Sequence, residues 1–158
     1  MSAKSKKKLI TPIHFNPSLI KRSKKSISFE VPGKPFAKQR PRSSKRGTIY
    51  TPQETINYEN LIKYSYYQAI GELKFDTAIA ASIEGIFSPP KSISNKKKQQ
   101  MLEGKIPHTK KPDCDNMAKS CLDALNGIAY NDDAQINKLT ISKRYGENSK
   151  LIVKIEEN

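Results

Sequence analysis

Between Thr77 and Phe87 the chain reads TAIAASIEGIF and then halts at Ser88-Pro89-Pro90. β-branched and small apolar residues in such a run suit a strand, and the paired prolines end it. Other segments carry strand signals of a different kind. ISFEVPG, from Ile27 to Gly33, alternates apolar and polar before a Pro-Gly break and reads as the first strand. QINKLTISKRYG and KLIVKIEE read as two further strands joined by Gly-Glu-Asn-Ser, which predicts a closing hairpin.

Helical signals separate these strands. From Gln53 to Ile70 the spacing of Ile56, Tyr67 and Ile70 predicts a helix, with Thr51 as its N-cap and Pro52 in the first helical position. Tyr58, Tyr64, Tyr66 and Tyr67 on it read as core and flank residues more than as base-stacking platforms. A short polar helix follows Ser94, its N-cap, and ends near Gly104. Asn116 to Leu125 reads as another, with Met117, Cys121, Leu122 and Leu125 along one side and Asn126-Gly127 at its end. This order predicts the α+β class: a single domain, residues 27 to 158, with a mixed β-sheet and packed helices. The 158 residues suffice for one such domain with a real core. Residues 1 to 26 mix lysine clusters with Pro12 and Pro17 and read as a flexible basic arm.

The net charge of +14 is uneven. Residues 1 to 52 hold 14 Lys and Arg against Glu30 alone, a surplus of +13; residues 53 to 158 hold 15 basic and 14 acidic residues, a surplus of +1. Clustered positive charge neutralises phosphates and releases counterions, so the expected partner is a nucleic acid. A membrane surface is the lesser candidate, because no amphipathic helix accompanies the charges. No apolar run approaches the ~20 residues of a membrane span and no apolar signal segment follows the basic start, so the expected location is cytoplasmic. Cys114 and Cys121 are spaced wrongly for a two-plus-two zinc site and are expected to be reduced thiols.

Against this basic background stands KPDCDN, residues 111 to 116. On an extended segment Asp113 and Asp115 would point the same way, and two converging carboxylates repel unless a cation joins them. Mg²⁺ suits such a pair, since it takes one or two carboxylates and keeps waters for substrate phosphates. A second pair, Asp132-Asp133, follows the Asn-Gly break, and the returning chain can bring Asp133 beside the first pair while Asp132 caps, folds back or binds through water. Lys119, four residues after Asp115, either stabilises the helix as an ion pair or orients water and offsets charge at a phosphate. Asp123, four further on, reads as a structural partner of Lys119. Asp-x-Asp also occurs in loops without an ion, Asp132-Asp133 could be an ordinary acidic turn, and His108 reads as a packed or exposed histidine more than as a ligand.

PDCDNMAKSCLDALNG, continued by IAYNDDAQI, resembles the signature of the RusA family of Holliday-junction resolvases, small endodeoxyribonucleases of bacteria and their phages. VPGKPFAKQRPRSS and YTPQETINYE upstream are similar to that family too, so the resemblance spans about residues 27 to 156. It implies a Mg²⁺-dependent homodimeric nuclease that makes paired incisions across a four-way DNA junction in recombination and repair. By position, Asp113, Asp115 and Asp133 match the family's catalytic, metal-holding carboxylates, Lys119 its catalytic lysine, and Asp132 the acidic neighbour of the last carboxylate. Lys34, Lys38, Arg40 and Arg42 then become expected contacts to the DNA backbone. Two other readings compete: a nucleic-acid-binding module without catalysis, and a nuclease acting on other branched DNA or on RNA.

Overall fold

The computed structural model describes residues 24 to 158. The expected basic arm therefore lies outside the described residues except for its last three. The elements in chain order are β1 (Ser26–Pro32), β2 (Arg42–Ser43), β3 (Ile49–Tyr50), α1 (Gln53–Ile70), β4 (Ile79–Phe87), α2 (Asn95–Leu102), α3 (Cys114–Leu125), β5 (Ile136–Tyr145) and β6 (Lys150–Glu157). β1, β6, β4 and β5 form one sheet in that order, and β2 and β3 form a separate small hairpin. β6 runs antiparallel to both of its neighbours, while β4 and β5 are parallel. A mixed sheet with helices on it makes the chain a single α+β domain, as its sequence predicts.

One face of the sheet is covered and the other is wet. Phe29 and Val31 of β1, Ile83 of β4, and Leu151, Val153 and Ile155 of β6 point inward and are buried. Tyr58, Ile62 and Tyr66 of α1 and Met117, Cys121 and Leu125 of α3 meet them in one core. Alternate residues on the opposite face are polar and pair across or along strands, as in Arg144–Glu84 and Lys150–Glu30, both 2.7 Å. Such one-sided covering is what period-2 alternation in β1 and β6 encodes.

The expected closing hairpin does not form. β5 and β6 are separated by β4, which pairs with both. β4 is buried along most of its length, with partial exposure only at Ser82 and Glu84, so its apolar surface and backbone groups are best satisfied in the sheet interior. Crossing it requires about 10 Å, two inter-strand spacings, which the four residues Gly146 to Ser149 can reach. The crossing is bonded to the end of β4: the Gly146 amide donates to the Phe87 carbonyl (3.0 Å) and the Ser88 amide to Ser149 Oγ (2.8 Å). Gly146 is required by close approach, since a Cβ there would lie 2.5 Å from Ile86 Cγ2.

Helix starts also differ in detail. Pro52, not Thr51, occupies the N-cap of α1, and its carbonyl receives the Thr55 and Ile56 amides. A proline carbonyl accepts these bonds without any side-chain cap, so Thr51 has no cap to make. Ser94 caps α2 as expected, its hydroxyl accepting from the Lys97 amide. α3 begins at Cys114, two residues before the expected Asn116. Cys121 is fully buried and its thiol is pushed up to about 12 by burial; both cysteines are free.

The strand of chain entering α3 is fixed by His108, which stacks on Phe87 with ring centroids 4.0 Å apart and lies 4.8 Å from Tyr145. Burial, and then the charge of Lys143 with smaller contributions from Lys34 and Lys110, hold this imidazole below its ordinary 6.5. As pH falls past that value the unfolded chain binds a proton that the folded chain resists, so this stability is present above 6.5 and lost as pH falls toward the folded value. The melting temperature is expected to drop between about pH 7.5 and about pH 5.5, with His108→Gln giving a flatter profile from a lower start. Equal slopes in calorimetry would refute this.

Candidate active site

α3 carries its buried residues, Met117, Ala118, Cys121, Ala124 and Leu125, toward the core. The 3.6-residue period therefore places Asp115, Lys119 and Asp123 in a row along the outward side. β5 runs beneath with Leu139 and Ile141, and the turn that precedes it brings Asp133 in from the other side. Asp115, Lys119, Asp123 and Asp133 thus line one open depression of about 260 Å³ floored by Leu139 and Ile141. The return of Asp133 depends on a defined path: Gly127, with φ of +76°, turns the chain out of α3, and the buried Tyr130 hydroxyl donates to the Leu122 carbonyl at 2.8 Å.

Asp113 occupies a different position. Because α3 begins at Cys114, Asp113 is its N-cap and Asp115 lies within the first turn, so the two do not share an extended segment. Their closeness is compensated by the positive end of the helix, which favours nearby carboxylates by about 0.3 to 1 kcal/mol each. Asp113 lines the neighbouring cleft of about 580 Å³ together with Lys34, Phe36 and Lys111. Its side chain makes no capping hydrogen bond. An N-cap aspartate normally accepts from the helix's second or third amide, so this carboxylate is left available for another partner.

The acidic neighbours Asp132 and Asp133 have separate tasks. Asp132 caps the 3₁₀ turn Asp133–Gln135: its Oδ1 accepts from the Ala134 amide at 2.8 Å, and Gln135 Oε1 accepts from the Asp132 amide at 3.1 Å. Asp133 has no such bond and faces the depression. Of the expected metal ligands, then, the fold brings Asp115 and Asp133 together, places Asp113 next door and uses Asp132 as a cap. Among the described residues no three His, Cys, Asp or Glu side chains gather as a ready-made cage. Two carboxylates at the rim of an open depression match the chemistry of Mg²⁺, which is held through one or two carboxylates with waters and substrate oxygens completing its shell.

Lys119 takes part in no ion pair among the described residues, and Asp123 is not its partner. Asp123 instead accepts from Lys38 Nζ at 2.5 Å, and Glu59 of α1 lies 3.2 Å from the same ammonium. Burial pulls the Lys38 pKa down, but the two carboxylates outweigh it and the net shift is upward. Lys38 is thus a clamp between α1 and α3, with its ammonium already committed, whereas Lys34, Arg40 and Arg42 are exposed. Lys38→Met is expected to lower stability by about 1 to 2 kcal/mol by stranding both acids, while Arg42→Gln leaves it unchanged. Urea unfolding midpoints distinguish the two.

Lys143 was not evident as a site residue. Its ammonium donates to the Lys110 carbonyl (2.9 Å) and the Pro112 carbonyl (2.8 Å), tying β5 to the peptide immediately before Asp113. The signal was available in the alternation of β5, where Leu139, Ile141, Lys143 and Tyr145 share the inward face: a lysine there needs a partner. His108 lies against Phe87 and Tyr145 and is not among the residues lining the acidic depression.

The chain is 35% identical to the uncharacterized protein YqaN of Bacillus subtilis (strain 168) over 136 residues, spanning 83% of this chain and 96% of that protein. The family described as Endodeoxyribonuclease RusA matches residues 32 to 156, from the end of β1 to the end of β6 and so across the whole site. The chain belongs to the RusA endodeoxyribonuclease family.

Proposed function

We propose that this protein is a Mg²⁺-dependent crossover junction endodeoxyribonuclease, which resolves four-way DNA junctions by paired hydrolysis of phosphodiester bonds during recombination and repair. The observation that carries this reading is the meeting of Asp115, Lys119 and Asp133 on one depression. A DNA-binding module has no need of that convergence.

Asp115 and Asp133 would hold the cation, and Asp113, whose side chain makes no capping bond at the start of α3, offers a further carboxylate from the neighbouring cleft. A divalent cation bound there supplies positive charge to the scissile phosphate and acidifies a neighbouring water. Lys119, with no carboxylate partner of its own among the described residues, presents its ammonium to the phosphate as negative charge develops in the transition state. Leu139 and Ile141 give the depression an apolar floor that strengthens these charge interactions. Lys34, Arg40 and Arg42 bind phosphates outside the cut, positioning the duplex arms without reading bases. A homodimer places two such sites on one junction, so that two-fold symmetry accounts for paired incisions. No described helix is long and apolar enough to cross a membrane, and a DNA substrate is consistent with action in the cytoplasm.

The test uses a labelled four-way junction and a linear duplex of matched sequence, each with Mg²⁺ or EDTA, alongside light scattering for the dimer. Cutting of the junction alone, in Mg²⁺ alone, is expected. Equal cutting of the linear duplex would defeat the junction assignment, and cutting in EDTA would defeat the metal.

A further inference from the structure

The β2–β3 hairpin stands apart from the main sheet and carries an unusual surface. Arg42 pairs with Tyr50 and Ser43 with Ile49. Its turn is ordered from within: the Ser44 amide donates to the Thr48 carbonyl (2.8 Å), the Gly47 amide to the Ser44 carbonyl (2.9 Å), and Ser44 Oγ accepts from the Thr48 amide (3.2 Å). Gly47 takes φ of +79°, as the turn demands. On this small, internally bonded hairpin Ile49 is 74% exposed and Tyr50 48% exposed. Adjacent strand residues point to opposite faces, so the hairpin presents an apolar group on each side and has the form of a wedge.

Its charge selects the partner. Arg42 lies directly across from Tyr50, exposed Arg40, Lys45 and Arg46 belong to the same short stretch, and no acid occurs from Val31 to Gln53. Two such hairpins from two copies of the chain would repel each other, whereas a polyanion is complementary to both flanks. The base of the hairpin is anchored beside the acidic site. The Lys38 amide donates to the Asn116 carbonyl of α3 (3.1 Å), next to Asp115, and the Gln39 amide to Thr55 Oγ1 of α1 (3.3 Å). A contact made by the hairpin is therefore referred to the same helix that carries Asp115 and Lys119.

We infer that this hairpin recognises the branch point itself: Ile49 and Tyr50 insert against bases unstacked where the DNA arms diverge, while Arg42, Lys45 and Arg46 hold the flanking phosphates. An unpaired base offers a face that an aromatic ring can stack on or an aliphatic wedge can replace, and a continuous duplex offers none. The inference rests on the proposed action on branched DNA and adds the element that selects it.

The test places 2-aminopurine at the branch point of a four-way junction and compares the full-length protein with the Ile49→Ser/Tyr50→Ala variant, first in EDTA and then with Mg²⁺. The unaltered protein is expected to raise 2-aminopurine emission at least about twofold. The variant, melting at the same temperature because both side chains are exposed, should lose that rise and about five- to a hundredfold in junction affinity, with linear-duplex affinity unchanged. If the double variant does not fold, Ile49→Thr, which keeps β-branching, is read in the same way. An emission rise equal to that of the unaltered protein, or an equal loss of affinity for linear duplex, overturns the inference, as does a change in oligomeric state, which would assign the hairpin to a second copy. Should the unaltered protein fail to cut the junction in Mg²⁺, the proposed function fails and the hairpin's role falls with it; cutting without an emission rise sinks the hairpin's role alone.

Discussion

Asp115→Asn is expected to abolish junction cleavage while leaving a folded protein that still binds junction DNA. Asparagine keeps the shape of the side chain and removes the charge. On a site built on two carboxylates, the loss of one should lower the single-turnover rate by roughly two to three powers of ten or more. The structural cost is small, because Asp115 is exposed in the first turn of α3 and its favourable interaction with the helix end is worth about 0.3 to 1 kcal/mol. The adjacent acids supply the control. Asp133→Asn should resemble Asp115→Asn. Asp132→Asn should leave cutting nearly intact, because asparagine caps a turn about as well as aspartate. A junction-cutting rate for Asp115→Asn within tenfold of the unaltered protein would remove Asp115 from the chemistry; a dead Asp132→Asn would show that its carboxylate does more than cap.

Gly85→Val should produce the largest loss of stability. Gly85 lies two residues before the end of β4 on the helix-covered face, and a Cβ there would sit 2.6 Å from Met117 Sδ and 3.0 Å from the Phe87 ring. α3 can lie this close to the sheet only because β4 has no side chain at that point. Met117 is fully buried and has little room to retreat, so the branched side chain lifts the helix at a cost of about 2 to 3 kcal/mol. That corresponds to a fall in melting temperature of roughly 4 to 12 °C for a chain of this size. Activity should fall more than the folded fraction does, since lifting α3 moves Asp115 and Lys119 relative to Asp133 on the β5 side. A melting temperature within 2 °C of the unaltered protein, on the same scale, would mean that Met117 rearranges freely.

The elements of this fold were legible in the sequence and their arrangement was less so. Alternation in ISFEVPG and the helical spacing behind Gln53 and Asn116 survive in the structure because each of those segments buries one face, which is what periodicity records. The pairing of β5 with β4 instead of β6 left no such trace, for Gly-Glu-Asn-Ser has the composition of a tight turn and nothing local reveals that it passes over Ile86. The acids divide along the same line. Asp115, Lys119 and Asp133 could be placed on one surface from helix geometry and a returning chain. The capping of Asp132, the separate cleft of Asp113 and the capture of Lys38 by Asp123 and Glu59 depend on contacts between residues far apart in sequence, 85 positions in the case of Lys38 and Asp123.

The place of β6 between β1 and β4 also sets a timetable. Residues 150 to 157 follow every other described element in the sequence, yet β6 is the only strand with which β1 pairs, so β1 joins the sheet through it alone. At about 5 to 20 residues per second, the nascent chain carries Asp115, Lys119 and Asp133 for roughly one to five seconds before β6 is complete. A newly made molecule therefore brings these three side chains into register late, and removal of this one strand is expected to undo that register without removing a single residue of the acidic depression.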